Sequence, residues 1–215
     1  MAILSRDLGV LFIQTPHTGS TAIGKLLRQR YGGTRLPEQP PGWGAGDGTV
    51  KHATLDELLA AGLLSAEERA QLVVAGGVRN PWDHVVTVFM RAQSGQGNWK
   101  GRRTQPRDLE FEPWLSARYA PSLGQRVRGQ APHRPKDYIS GADHIIRYEH
   151  LQEDFDDLLR RVGATPVEVP RINVTVAKEE TARHWSTFYS PASQAIVAEA
   201  YSDWIERFGY RFEPA

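Results

Sequence analysis

The chain has 215 residues, of which 40% are hydrophobic and 24% are charged, and its formal net charge is +1. These values are typical of one globular domain, and the absence of cysteine excludes disulfides and thiolate metal sites. No apolar run approaches the ~20 residues of a membrane span, and the N-terminus lacks the basic start and long apolar core of a signal peptide. We therefore expect a single domain over residues 1–215, located in the cytoplasm.

Apolar runs, caps and helical periodicity predict strands that alternate with helices. The first strand is predicted over Gly9–Gln14 and the first helix over Ser20–Tyr31, followed by a Gly- and Pro-rich loop at 32–48. Later elements are helices opening at Thr54 and Ser65, a strand over Leu72–Val78, a helix from Pro81 to Arg91, a strand over His144–Arg147, and helices over Leu151–Val162 and Pro191–Phe208. This order predicts an α/β fold with a mostly parallel sheet in three layers, covered by helices on both faces. A ligand is then expected beyond the carboxyl ends of the strands.

A basic segment lies at about 92–137, between the predicted helix ending at Arg91 and the strand at His144. Residues 91–137 carry ten basic and four acidic side chains, with Gly and Pro throughout, and we expect an irregular insertion. The charge excess indicates an anionic ligand, a solvated basic loop or a nucleic-acid patch, and composition alone leaves all three open.

The junction between the first strand and the first helix predicts an anion site. The apolar run Val10–Ile13 meets a turn that is rich in hydroxyls and contains Gly19, and the apolar helical pattern begins at once. A helix N-terminus directs backbone N–H groups and the positive end of the helix dipole at one point, which favours phosphate or sulfate. Residues 19–26 read GSTAIGKL, close to the phosphate-loop pattern GxxxxGK[ST]. Leu26 departs from it, because leucine cannot ligate magnesium as Ser or Thr would.

The segment Thr15–Thr21, TPHTGST, resembles the 5′-phosphosulfate loop of sulfotransferases, usually PKTGST or PKSGTT. Three further segments resemble motifs of the same family in the same order. They are Arg79-Asn-Pro with Thr87 eight positions later, the RYEHL run ending at Leu151, and Asn173 with the segment Tyr201–Phe212 that ends in FGYRF. Together they resemble the carbohydrate-type, bacterial branch of the family.

The resemblance implies a fold like that of phosphate-loop nucleotide-binding proteins and a reaction without a metal. The sulfuryl donor is 3′-phosphoadenosine 5′-phosphosulfate (PAPS), and the acceptor is a hydroxyl or amine of a carbohydrate or small molecule. The 5′ end of the donor would be held by Pro16, His17, Thr18, Gly19, Ser20 and Thr21. Arg79 and Thr87 would hold the 3′-phosphate.

His17 stands where the family has lysine. An imidazole titrates near neutrality and is able to donate a proton, so we expect a catalytic role for His17, with activity falling as pH rises. A packing role in a weak or inactive protein is the alternative. The acceptor also needs a base, for which His52 is the first candidate and Glu149 and His150 are others.

The acceptor is expected against the basic segment, whose charge would suit an anionic acceptor. The candidate contacts there are Arg102, Arg103, Arg107, Arg126, Arg128, Arg134, Trp99 and Trp114. Either tryptophan is equally consistent with a place in the core. Lys178 and Arg183 lie where relatives often contact the nucleotide. The alternative functions are a phosphate-loop kinase or NTPase, and a non-enzymatic nucleic-acid binder. No recognisable nucleic-acid recognition element supports the latter, so we expect no nucleic-acid partner.

Overall fold

A computed structural model describes residues 2–38, 52–95, 98–99, 102–103, 108–127, 129, 131–172, 175 and 183–215. The chain divides into two compact units. The first unit contains the described residues within 1–79, 99–102 and 137–174, and the second unit contains those within 80–98, 103–136 and 175–215.

The first unit is built on a five-stranded mixed sheet. Its strands are β1 (Ala2–Ser5), β2 (Val10–Ile13), β3 (Thr34–Leu36), β4 (Val73–Val78) and β7 (His144–Arg147), in the order β3-β1-β2-β4-β7. β2, β4 and β7 run parallel, whereas β1 is antiparallel to both β2 and β3. The α/β class is confirmed. The prediction of a mostly parallel sheet was wrong at the edge formed by β1 and β3, where the strands are antiparallel. β1 and β3 are too short to stand out, and β1 reaches β2 through the tight turn Arg6–Gly9, where Gly9 has φ 64°.

Helices pack on both faces of this sheet. They are α1 (Ser20–Arg30), α2 (Leu55–Ala60) and α7 (Leu151–Arg161), and the short helix α3 (Ala66–Ala70), which buries no residue, precedes β4. Alternate strand residues face opposite ways, so Val10 and Phe12 join one core with side chains of α1 and α7. Leu11 and Ile13 join a second core with side chains of α2. The two cores place the sheet between helices, and the connecting loops lie at its carboxyl edge.

The predicted helix starts in the first unit are confirmed. The Thr54 hydroxyl accepts from the backbone N–H of Glu57, whose carboxylate accepts from the N–H of Thr54, which completes a capping box before α2. Ser65 accepts from the N–H of Glu68 and caps α3.

The second unit is helical. Its helices are α4 (Pro81–Gln93), α5 (Phe111–Tyr119), α6 (Leu123–Val127), α8 (Pro191–Ala200) and α9 (Ser202–Phe208). Phe89 of α4 meets Phe111 of α5 edge to face with ring centroids 5.2 Å apart. The single C-terminal helix expected over 191–208 is two helices, because the backbone of Tyr201 leaves the helical region at φ −116° and ψ 22°.

The basic segment is less irregular than expected. Its described residues include α5 and α6, and the short strands β5 (Asn98–Trp99) and β6 (Arg102–Arg103) pair in a separate two-stranded sheet. Pro113 made the sequence around α5 look non-helical. Proline is nevertheless tolerated in the first turn of a helix, because the N–H group that it lacks would have no partner within the helix there. Within the described ranges, no helix has the length and apolarity that crossing a membrane requires.

Candidate functional site

The connection from β2 to α1 presents backbone donors at the carboxyl edge of the sheet. His17 and Gly19 both adopt the left-handed region, with φ 61° and 73°, and Gly19 is the N-cap of α1 without any side-chain cap. In the described part of the chain, the N–H groups of Gly19 and Ser20 meet no hydrogen-bond acceptor. Together with the positive end of an 11-residue helix, these donors suit an anion.

Two hydroxyls of the loop bind the backbone of the loop itself. Thr18 Oγ1 and Ser20 Oγ both donate to the carbonyl of Thr15, at 3.0 and 2.7 Å, so in this structure they fix the loop rather than point donors at a ligand. Thr15 Oγ1 is buried and has no hydrogen-bond partner among the described residues. A buried hydroxyl without a partner is uncommon in folded proteins and is consistent with a ligand beside the loop. Thr21 is exposed.

Gly77 of β4 allows the loop to lie against the neighbouring strand. A Cβ atom at this position would come within 2.4 Å of Thr18 Oγ1 and 2.9 Å of Thr18 Cβ. Glycine is therefore required by the close approach of the loop, and this contact is one that the sequence pattern did not reveal.

Arg79 directly follows β4 and contacts the loop. Its side chain is buried, at 3% exposure, and Nη1 donates to the His17 carbonyl at 2.9 Å. Its guanidinium carbon also lies 3.8 Å from the ring centroid of Tyr148, the residue that follows β7. Because β2, β4 and β7 are parallel neighbours, His17, Arg79 and Tyr148 meet beyond three strand ends.

The end of β7 is fixed by a buried carboxylate of α7. Asp154 accepts from the backbone N–H and Nε of Arg147, both at 2.8 Å, and from Nη2 at 2.6 Å. Burial alone would raise the pKa of Asp154, but the hydrogen bonds and charge of Arg147 outweigh it and hold that pKa below its usual range. This clamp positions the segment from which Tyr148 reaches Arg79.

His52 lies beside the same loop. Its Nδ1 is 2.8 Å from the carbonyl oxygen of Gln14, the residue after β2. A carbonyl only accepts, so Nδ1 carries the proton and the lone pair of the neutral ring is on Nε2. The edge of the ring meets Tyr138, whose pKa is raised by burial and by the Glu57 carboxylate. The alternatives Glu149 and His150 are both exposed, and His150 Nδ1 is 3.1 Å from a Glu153 oxygen.

The first unit therefore brings together Pro16–Thr21, His52 and Arg79. Thr87 belongs to α4 of the second unit, where its buried hydroxyl donates to the Asp83 carbonyl at 3.0 Å. Sequence reasoning did not identify Tyr148 as a site residue, since its role depends on which strands are neighbours.

The residues proposed for the acceptor are only partly described. Residues 107, 128, 173 and 178, and the side chains of Trp99, Arg102, Arg103 and Arg126, lie outside the described part of the chain. Trp114 is half-buried, Arg134 is exposed with a Glu199 oxygen 3.5 Å away, and Arg183 donates to the Thr187 hydroxyl at 2.7 Å.

Among the described residues, no three His, Asp or Glu side chains gather closely enough to hold a metal ion. Comparison with protein-family models, with curated proteins and with solved structures finds no match to this chain.

Proposed function

We propose that the chain is a sulfotransferase that moves a sulfuryl group from PAPS to a hydroxyl or amine of a small-molecule or carbohydrate acceptor. One observation carries the proposal: among the described residues, the N–H groups of Gly19 and Ser20 meet no acceptor in a connection that also contains the buried Thr15 hydroxyl and that Arg79 contacts through the His17 carbonyl. A three-layer architecture of the phosphate-loop type is part of the proposal, and the two cores on opposite faces of the sheet support it.

The residues at the junction of β2 and α1 fit a phosphosulfate. Bound there, the donor supplies a sulfuryl group that an acceptor attacks in line, and negative charge grows on the bridging oxygen. Gly19 and Ser20 direct two N–H groups and the α1 dipole toward such an oxygen, which stabilises developing charge without a metal. An oriented donor of this kind is worth ~3 kcal/mol of barrier.

Arg79 supports this site in two ways. It holds the His17 carbonyl, and so fixes the left-handed turn that orients the amides. It also supplies a permanent positive charge next to the loop, since a guanidinium remains protonated at any physiological pH. The joint hold of Arg79 and Thr87 on a 3′-phosphate remains a prediction of the resemblance.

His17 and His52 are proposed as the proton-handling residues. His17, half-buried in the loop, would donate to the leaving oxygen in place of the lysine of the family. His52 would remove the proton of the acceptor, because its bond to the Gln14 carbonyl leaves the basic nitrogen at Nε2.

Thermal unfolding with added nucleotide tests the proposal. Adenosine 3′,5′-bisphosphate at ~100 times its dissociation constant should stabilise the protein by about 2.7 kcal/mol, whereas adenosine 5′-monophosphate at the same concentration should stabilise it less. Stabilisation by ATP with magnesium, abolished by a chelator and not reproduced by the bisphosphate, would instead support the kinase or NTPase alternative. Stabilisation by neither nucleotide would overturn the proposal.

A further inference from the structure

A cleft of about 770 Å³ opens on the second unit, and neither the loop residues nor Arg79 line it. This volume is within the usual range of small-molecule sites. Trp114, Ala117 and Arg118 of α5 line the cleft, and His133 lines it as well. Apart from Trp114, which the sequence offered as a contact for the acceptor, none of these residues has a role in the proposed transfer reaction.

The charged side chains that line the cleft differ in sign from one end of α5 to the other. Trp114 and Arg118 are four residues apart and lie on one face of α5, and Glu110, the N-cap residue of this helix, also lines the cleft. The eight positions from Glu110 to Arg118 correspond to a backbone rise of about 12 Å along the helix axis. The cleft therefore has a negative end at Glu110, a half-buried indole in the middle and a positive end at Arg118.

Arg118 is arranged to take an anion. Its guanidinium carbon lies 5.9 Å from the Trp114 ring centroid and 5.7 Å from that of Tyr119, so the group is held near two aromatic rings. Arg118 is exposed, and no carboxylate of the described residues forms an ion pair with its guanidinium. An exposed guanidinium without a partner, held beside an indole, is suited to a carboxylate attached to a flat ring.

His133 completes the positive end as a neutral donor. Its backbone N–H donates to the Arg118 carbonyl at 2.8 Å, and its ring meets Tyr119 edge to face at 5.4 Å. Burial, with a further contribution from the Arg118 charge, lowers the pKa of His133 to about 4. At neutral pH the ring is therefore uncharged, and its one ring N–H is able to donate to an oxygen atom.

We infer that this cleft binds an aromatic carboxylate, with the ring on Trp114 and the carboxylate on Arg118 and His133. The carboxylate end points away from Glu110, because the like charge of that side chain opposes the reverse orientation. This binding does not depend on the transfer chemistry, and its test needs no nucleotide.

Isothermal titration of the full chain with 4-hydroxyphenylacetate tests the inference, with tyramine as the matched probe that keeps the ring but ends in an ammonium. We expect the acid to bind and tyramine to bind at least about tenfold more weakly. Equal or tighter binding of tyramine, or no binding of the acid, would overturn the inference.

Two variants locate the site. Arg118→Gln should weaken binding of the acid by about tenfold or more, whereas Arg134→Gln, a control in the same basic segment that does not line the cleft, should leave it unchanged. Trp114→Phe keeps an aromatic ring and should retain most of the affinity, whereas Trp114→Leu should lose it. Far-ultraviolet circular dichroism confirms that each variant is folded. An equal loss in Arg118→Gln and Arg134→Gln would mean general attraction to the segment and would contradict the inference, as would unchanged affinity in Arg118→Gln.

Discussion

Arg79→Ala should reduce the free energy of unfolding by about 2–4 kcal/mol. The side chain is 3% exposed, and its bond to the His17 carbonyl is charge-assisted, for which about 1.5–3 kcal/mol is typical. Its stacking on Tyr148 at 3.8 Å adds about 1 kcal/mol, because that ring is still 37% exposed and only partly desolvated. Alanine removes both contacts and leaves the His17 carbonyl without this donor.

Urea denaturation measures this loss, and Tyr148→Leu is the matched control. The control removes the stacked ring but keeps the hydrogen bond to His17, so it should lose only about 1 kcal/mol. The double variant should lose less than the sum of the two single variants, because the stacking is counted in both. A loss below about 0.5 kcal/mol in Arg79→Ala, which is the range of ordinary surface substitutions, would refute the reasoning. If the proposed function holds, the same variant also weakens binding of adenosine 3′,5′-bisphosphate by at least ~1.5 kcal/mol, as calorimetry would measure.

Three other predictions concern the fold around the site and its chemistry. The pKa of Asp154 is depressed in the folded state, so its stabilisation is present above the unfolded value of about 3.9 and is lost as pH falls through the lower folded pKa. Asp154→Asn should therefore cost about 2 kcal/mol at neutral pH, and urea denaturation should show the difference shrinking in acid; a difference independent of pH would contradict the ion pair with Arg147. Gly77→Ala should cost about 1–3 kcal/mol because the new methyl group meets Thr18, whereas Gly124→Ala, in open space, should be near neutral in the same assay. If His52 is the base, His52→Gln should reduce sulfuryl transfer by about a hundredfold or more with the nucleotide still bound, and an active variant would exclude that role.

Short-range signals predicted most of what surrounds the loop. The apolar runs ending at Ile13 and Val78 and the cap at Thr54 are read within a few residues, because burial, periodicity and capping are local properties. The placement of Arg79 after a buried strand was likewise visible, and so was its position at the edge where parallel strands end.

Long-range contacts were not predictable in the same way. β1 and β3 are held by antiparallel partners that their own three or four residues do not specify. Tyr148 meets Arg79 only because β7 pairs with β4, a choice of neighbour that no local pattern indicates. The approach of Thr18 to Gly77 is of the same kind.

The missed helix α5 has a different cause. Phe111, Leu115 and Tyr119 are buried at intervals of four, which is a helical pattern present in the sequence. The helix was not predicted because glycines, prolines and arginines surround this pattern and because Pro113 lies in its first turn, all of which favoured an irregular segment.

The amide signals of the loop give the most direct test of the central claim, that the junction of β2 and α1 holds one end of a bisphosphorylated adenosine. In a ¹H–¹⁵N titration with adenosine 3′,5′-bisphosphate, we expect the largest shifts, and saturable ones, at the amides of Gly19 and Ser20. Saturable shifts confined to other parts of the chain, with both of these amides unmoved, would contradict it.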